Sequence, residues 1–426
     1  GIGDACTVTY CVTNSAGLQQ ALTTAESNNM YDIIMLEQGT YTVSSNNNQG
    51  FSFDTSGIYG VEIYGLSIEG GYLNGCTSRN MDPANTILDG ERSYLPSTSH
   101  AVLDISSSSY LVSPSSSITV EGITVTRGYG GYNGFDGGGV YINTQSEGIN
   151  LRDNIIKENM ASQICSVPYG VNNICDSGGG VHAKSKEGSI NLSNNKVEQN
   201  STWKWSSNYK YRGGGIFAET DTGDIILNKN TISNNTAIVI GYGGGAVLET
   251  NKGDIVLDSN IVSYNYAHSS EGGLSIYSYS GTITLSNNLI YSNQAPGNAS
   301  YSLIKAGGAK ISGRKIILFN NIIAENYAYN EYSYPYYGGG LSITGSNISL
   351  TNNTISGNSG GGDCKGEGLH LNLNGTTYVA DIYNNIIWGN SWNGDPDGDI
   401  YLEGTGTFNA YNNDFDPSKV GGGQFT

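Results

Sequence analysis

Residues able to do chemistry are sparse in this chain, and their spacing decides what they could do. Asn393–Asp399 reads NGDPDGD, with oxygen-bearing side chains at alternate positions before a glycine. A calcium loop begins this way, which makes Asp395, Asp397 and Asp399 the candidate Ca²⁺ ligands. A complete loop needs a bidentate acid at its twelfth position, where Gly404 stands, with Glu403 one residue early. An ordinary polar turn therefore competes with the metal reading. The histidines are His100, His182, His268 and His370. His182 and His370 hold equivalent places in a repeat described below, six units and roughly 29 Å apart at strand spacing. They are expected to be solvent-facing and cannot form one site.

Tyrosine is the richer signal. The chain holds 31, and many gather in short segments, foremost Tyr327, Tyr329, Tyr332, Tyr334, Tyr336 and Tyr337. Tyrosine offers a large amphipathic contact area at low entropic cost, which suits a carbohydrate or protein ligand. The same flat rings could simply cover a flank. Trp388 is expected to pack locally. The six cysteines are Cys6, Cys11, Cys76, Cys165, Cys175 and Cys364. None forms a C-x-x-C pair, so zinc and redox motifs are weak readings. Cys165 and Cys175 share one insertion and suit a local bridge. The pairing of Cys6, Cys11, Cys76 and Cys364 stays open, with a link from Cys364 to Cys6 or Cys11 of a second copy as one hypothesis. An even count in a Ser-, Thr- and Asn-rich chain leans towards an oxidising setting, extracellular or at a cell surface.

The elements that must carry these residues repeat. Eight glycine runs, ending at Gly139, Gly180, Gly215, Gly245, Gly273, Gly308, Gly340 and Gly368, each lead into a short apolar strand. An asparagine hexapeptide follows each one, from NIIKEN at Asn154–Asn159 to NIIWGN at Asn385–Asn390. A repeat unit of this size cannot bury its apolar face alone and must stack on copies of itself. Apolar residues one and three after each run, such as Val140/Ile142 and Leu341/Ile343, should point inward, and the residue between them outward. The spacing from Val140 to Asn154, Val181 to Asn195 and Ile216 to Asn230 is a constant 14 positions. Length varies between a hexapeptide and the next glycine run, so insertions should align along one corner. The asparagines fit turns whose side-chain amides stack along the axis, or residues with positive φ.

The expected fold is all-β, a right-handed parallel β-helix with one short N-terminal capping helix. Ser15–Asn28 is the only good helix candidate, with Leu18, Ala21, Leu22 and Ala25 on one face and Asn14 or Ser15 as N-cap. The expected organisation is a strand or arm over 1–12, able to serve between molecules, and a cap region over 13–31. Irregular coils over 32–136, regular coils over 137–416 and a Gly-rich tail over 417–426 follow.

The GGG-led strand followed by N-φ-φ-x-x-N resembles right-handed parallel β-helix repeats of secreted or cell-surface proteins. It is similar to the GGA[I/L/V] and FxxN repeats of polymorphic outer-membrane proteins, with Ile or Val mostly replacing Phe. Tyr383–Phe415 resembles the last coils of surface β-helix proteins that carry a separate anchor. The resemblance implies the fold over nearly the whole chain and says little about activity.

A net charge of −18 with 19 basic residues argues against nucleic acid, anionic membranes and acidic polysaccharides as partners. No apolar run has the length of a membrane span. A β-helix lyase or glycosidase would need carboxylates recurring in neighbouring coils. The residue between the two inward apolar positions is never Asp or Glu. The expectation is a non-catalytic structural or adhesive protein with no cofactor other than the candidate Ca²⁺. End-to-end self-association is its expected mode of assembly. A polysaccharide lyase or glycoside hydrolase with an atypical site is the first alternative, and a monomeric carbohydrate-binding stalk the second.

Overall fold

A computed structural model describes residues 7–425 apart from 48, 56–64, 93–100, 108–115, 131–136, 164–173, 176–177, 205–209, 239, 298–305, 331–335, 362–363 and 392–397. The chain winds as an all-β parallel β-helix. Strands of each coil pair in parallel and in register with those of the next, as in Val181–Ser185 on Ile216–Thr220 and Ile190–Ser193 on Ile225–Asn228. These two strand positions form one 22-stranded sheet, because Leu274–Ser286, Ala309–Phe319 and Leu341–Thr351 run through both without a break. The eight hexapeptides, with Gly39–Thr42, Thr86–Asp89, Thr124–Thr126 and Asp414–Phe415, form a 12-stranded sheet, and the segments after the hexapeptides contribute to an 8-stranded one.

The core is a set of apolar columns. Val140, Ile142, Ile216, Ala218, Leu341 and Ile343 are all fully buried, as the alternation requires. The hexapeptide contributes its third residue, so Ile156, Val197, Ile232, Val262 and Ile290 stack inward. Its second residue faces out, leaving Ile261, Ile322 and Ile386 exposed. Trp388 is likewise 52% exposed, against the expectation of local packing, since alternation puts it on the outer face beside Ser356.

Two asparagine ladders run along this core. One links Asn154, Asn195, Asn230, Asn260, Asn288, Asn321, Asn353, Asn385 and Asn413. The other runs from Asn159 through Asn200, Asn235, Asn265, Asn293, Asn326 and Asn358 to Asn390. In each link one Nδ2 donates forward to the next Oδ1 and backward to a main-chain carbonyl, as Asn260 does to Asn288 and Leu227. The positive φ lies on the residue before each asparagine, for example Lys229, Ser259 and Tyr264, rather than on the asparagine itself. The turn is made there so that the amide can point inward. Gly215 is needed for a different reason: a Cβ would sit 2.6 Å from the Gly245 carbonyl oxygen.

The helix Ser15–Ala25 buries Leu18, Ala21, Leu22 and Ala25, and Asn14 caps it by accepting from the Gly17 amide. The strand Thr7–Val12 pairs in parallel with Tyr31–Glu37 of its own chain. Half of the expected intermolecular arm is thus an ordinary first strand, and residues 1–6 lie outside the described residues. The expected tail is also structured: Val420–Gly422 adds to Ile400–Gly404, and Phe425 packs on Phe415. Among the described residues no helix is long and apolar enough to cross a membrane.

Candidate functional site

The outer face of the glycine-led strands was expected to be solvent-facing, and it is covered. The insertions before the glycine runs turn back as short strands: Ile174–Cys175, Lys210–Arg212 and Ile240–Tyr242 in one sheet, Tyr336–Tyr337 and Cys364–Lys365 in another. Gly213 and Gly243 make the return with φ of +66° and +59°, which L side chains rarely adopt. The returning strands lay side chains over the outward column. The Arg212 guanidinium lies 5.6 Å from the Phe217 ring centre, and the Tyr337 ring 4.4 Å from that of His370. His182 and His370 are consequently buried, at 1% and 3% exposure. His182 packs edge-on between Tyr141 and Phe217.

Acids missed by reading one outward position alone stand at the next one. Glu219 and Glu249 are register neighbours there, and Glu403 follows in a later coil. Each meets a cation or an imidazole. Lys184 pairs with Glu219 at 3.0 Å, Arg212 with Glu249 at 2.5 Å and His370 with Glu403 at 2.9 Å. Lys310 reaches the fully buried Glu271 at 3.3 Å, and this carboxylate raises the lysine's pKa. In the early coils Glu121, nearly buried, is held by both Arg79 and Arg152. Aligning the fourth strand position across coils would have exposed Lys184, Glu219, Glu249 and Glu403 in the sequence.

Between the covering strands and the flank lies a cleft of about 220 Å³. Arg212, Tyr242, Glu249, Ser275, Tyr277 and Lys310 line it. Its cations are already matched by Glu249 and Glu271, so it offers hydrogen-bonding groups and two phenols without strong net charge.

A second polar group sits further along the same face. Lys310, Ser342, His370 and Tyr401 are successive register partners. Ser342 Oγ is 3.0 Å from His370 Nδ1, and Glu403 takes the other ring nitrogen. Asn372 Nδ2 donates to the same carboxylate oxygen at 3.1 Å.

The tyrosine corner is placed in part. Tyr327 and Tyr329 stack with ring centres 6.3 Å apart and planes 9° from parallel. The Tyr337 ring lies over His370. Tyr332 and Tyr334 lie outside the described residues, and Tyr336 is placed only as a strand residue.

Of the expected calcium ligands, Asp395 and Asp397 lie outside the described residues. Asp399 has another task. It is 2% exposed, and its Oδ1 accepts from the main-chain NH and Nδ2 of Asn390, continuing the second ladder. Burial raises its pKa. Among the described residues the one close grouping of metal-type ligands is Cys11, Glu37 and Cys76, and its sulfurs are joined in a disulfide. That bond removes Cys11 as a partner for Cys364, which is itself buried beside Ala295 and Ala328. Cys6 and Cys165 lie outside the described residues, and Cys175 is placed only as a strand residue. No protein-family description, no curated protein and no solved structure matches this chain.

Proposed function

We propose that the protein is a structural or adhesive β-solenoid, secreted or displayed at a cell surface, and able to join end to end. The observation that carries this reading is how the flank's polar residues are used. Lys184, Arg212 and Lys310 each close on an acid of the flank, while two continuous amide ladders stiffen the core. Such cross-coil pairing resists bending along the axis. The Cys11–Cys76 disulfide supports an oxidising compartment, and the repeats resemble those of surface β-helix proteins. For assembly, the support is the repeat itself: Thr407–Tyr411 joins Val379–Tyr383 in the same parallel, in-register way that joins each earlier coil to the next, and strand addition in that register is a route to longer sheets. Electron microscopy of the purified chain tests this: the reading expects rods joined along their axis, and single rods at every concentration refute the assembly.

The adhesive part of the reading is supported by the cleft. Matched charges beside Tyr242 and Tyr277 suit a neutral carbohydrate, whose hydroxyls need donors and acceptors and whose ring faces stack on phenols. A glycan array read for binding, with Tyr277→Ala as the comparison, checks it. Equal signal from both proteins removes the cleft as the binding site.

A further inference from the structure

We propose that Ser342, His370 and Glu403 form a nucleophilic serine site that takes small acyl esters. This goes beyond the scaffold role and can fail without affecting it. An ionised carboxylate only accepts hydrogen bonds, so the contact of Glu403 Oε2 with His370 Nε2 at 2.9 Å puts the ring hydrogen on Nε2. The Nδ1 lone pair is then free to accept from the Ser342 hydroxyl at 3.0 Å. A base held by an acid and aimed at a hydroxyl is the arrangement that activates serine, wherever it arises in a fold. Here the ring is turned over, with Nδ1 rather than Nε2 facing the serine. The roles of acid, base and nucleophile are unchanged.

Simple burial of an imidazole does not call for this arrangement. His182 occupies the same outward column and is as deeply buried, yet it is packed between the rings of Tyr141 and Phe217. His370 instead has a hydroxyl on one nitrogen and a carboxylate on the other, brought from three different coils. Asn372 holds that carboxylate oxygen from the side.

The reaction follows from these positions. Ser342 Oγ bonds to the ester carbonyl carbon as its proton moves to His370 Nδ1, and Glu403 stabilises the imidazolium. The C–O bond to the alcohol breaks, and the departing alkoxide takes the proton from Nδ1. Water, deprotonated by the same nitrogen, then displaces the acyl group and restores the hydroxyl. Ser342 keeps 3% of its surface, so access is narrow and the acyl group must be short. The ring of Tyr337 lies tilted over His370 and controls that access.

The test is covalent labelling of the full chain with a fluorophosphonate, located by peptide mass, together with turnover of p-nitrophenyl acetate. The proposal expects one adduct on Ser342, absent in Ser342→Ala. Glu403→Gln and His370→Gln should slow labelling at least about 10²-fold, the usual worth of a positioned base. Tyr337→Ala should speed it by opening the site. Thermal unfolding confirms that each variant is folded. Absence of a Ser342 adduct in both the wild type and Tyr337→Ala overturns the proposal. So does labelling of Ser342 at the same rate in a folded Glu403→Gln variant, which would mark the contacts as packing only.

Discussion

Replacing Asn260 by alanine removes one link from the middle of the first ladder. Its Oδ1 accepts from the main-chain NH of Asn230 at 2.9 Å and from Asn230 Nδ2 at 3.0 Å. Its Nδ2 donates to Leu227 O at 2.8 Å and to Asn288 Oδ1 at 3.0 Å. Asn260 is 1% exposed and its ladder neighbours are as deeply buried, so water cannot replace these partners. Asn288 Oδ1 keeps a second donor, the Asn260 main-chain NH, whereas the Asn230 main-chain NH and one of its two Nδ2 hydrogens lose their acceptor, the other hydrogen still bonding Leu192 O. At about 1–3 kcal/mol for each unsatisfied buried group, the variant loses about 2–6 kcal/mol. Coils unfold locally in a solenoid, so the loss should be read locally. Amide hydrogen exchange at Asn230 should accelerate between about 30-fold and 10⁴-fold, at 1.4 kcal/mol per tenfold. Ile261→Thr is the control, because the same outward column already holds Thr231 and Thr354. Exchange at Asn230 within threefold of wild type in Asn260→Ala would show that the ladder is ornament on a core held by apolar packing alone.

Three further outcomes follow from the same structure. Burial, with the nearby Asp54 charge, pushes Asp104 up to about 7 from an ordinary value near 3.8. Between those values the folded chain keeps a proton that the unfolded chain has lost, so stability falls as pH rises through that window, by up to about 4 kcal/mol; Asp104→Asn should raise the melting temperature at pH 8 and leave it unchanged at pH 4. Lys310→Met strands the fully buried Glu271 and should cost about 3–5 kcal/mol in denaturant titration, with Lys310→Met/Glu271→Gln recovering much of it. Reducing Cys11–Cys76, which spans 65 residues, should lower stability by about 4 kcal/mol, read as a drop in melting temperature that spares the exchange protection of coils far from the N-terminal end.

Alternation in the sequence was enough to place the core, since side chains after each glycine run have only two directions to point. The helix Ser15–Ala25 was equally legible, because its apolar spacing and Asn14 cap are local. The amide stacking of the asparagines was also readable from their recurrence, though the positive φ belongs to the preceding residue. What escaped was set between coils. His182 and His370 looked solvent-facing because their cover comes from insertions with no fixed length or pattern. Ser342, His370 and Glu403 are separated by 28 and 33 residues, and nothing in local spacing joins them. Asp399 looked like a metal ligand beside two other aspartates, but its position relative to Asn390 makes it the next member of a ladder.

Electron microscopy of the purified chain under oxidising conditions decides whether these solenoids join end to end. Twelve stacked coils in the hexapeptide sheet at about 4.8 Å each make a unit of roughly 58 Å. Stiff rods built from that unit and joined along the solenoid axis, lengthening with concentration, are the expected result. Isolated units of fixed length at every concentration, or particles that bend between coils, would contradict it.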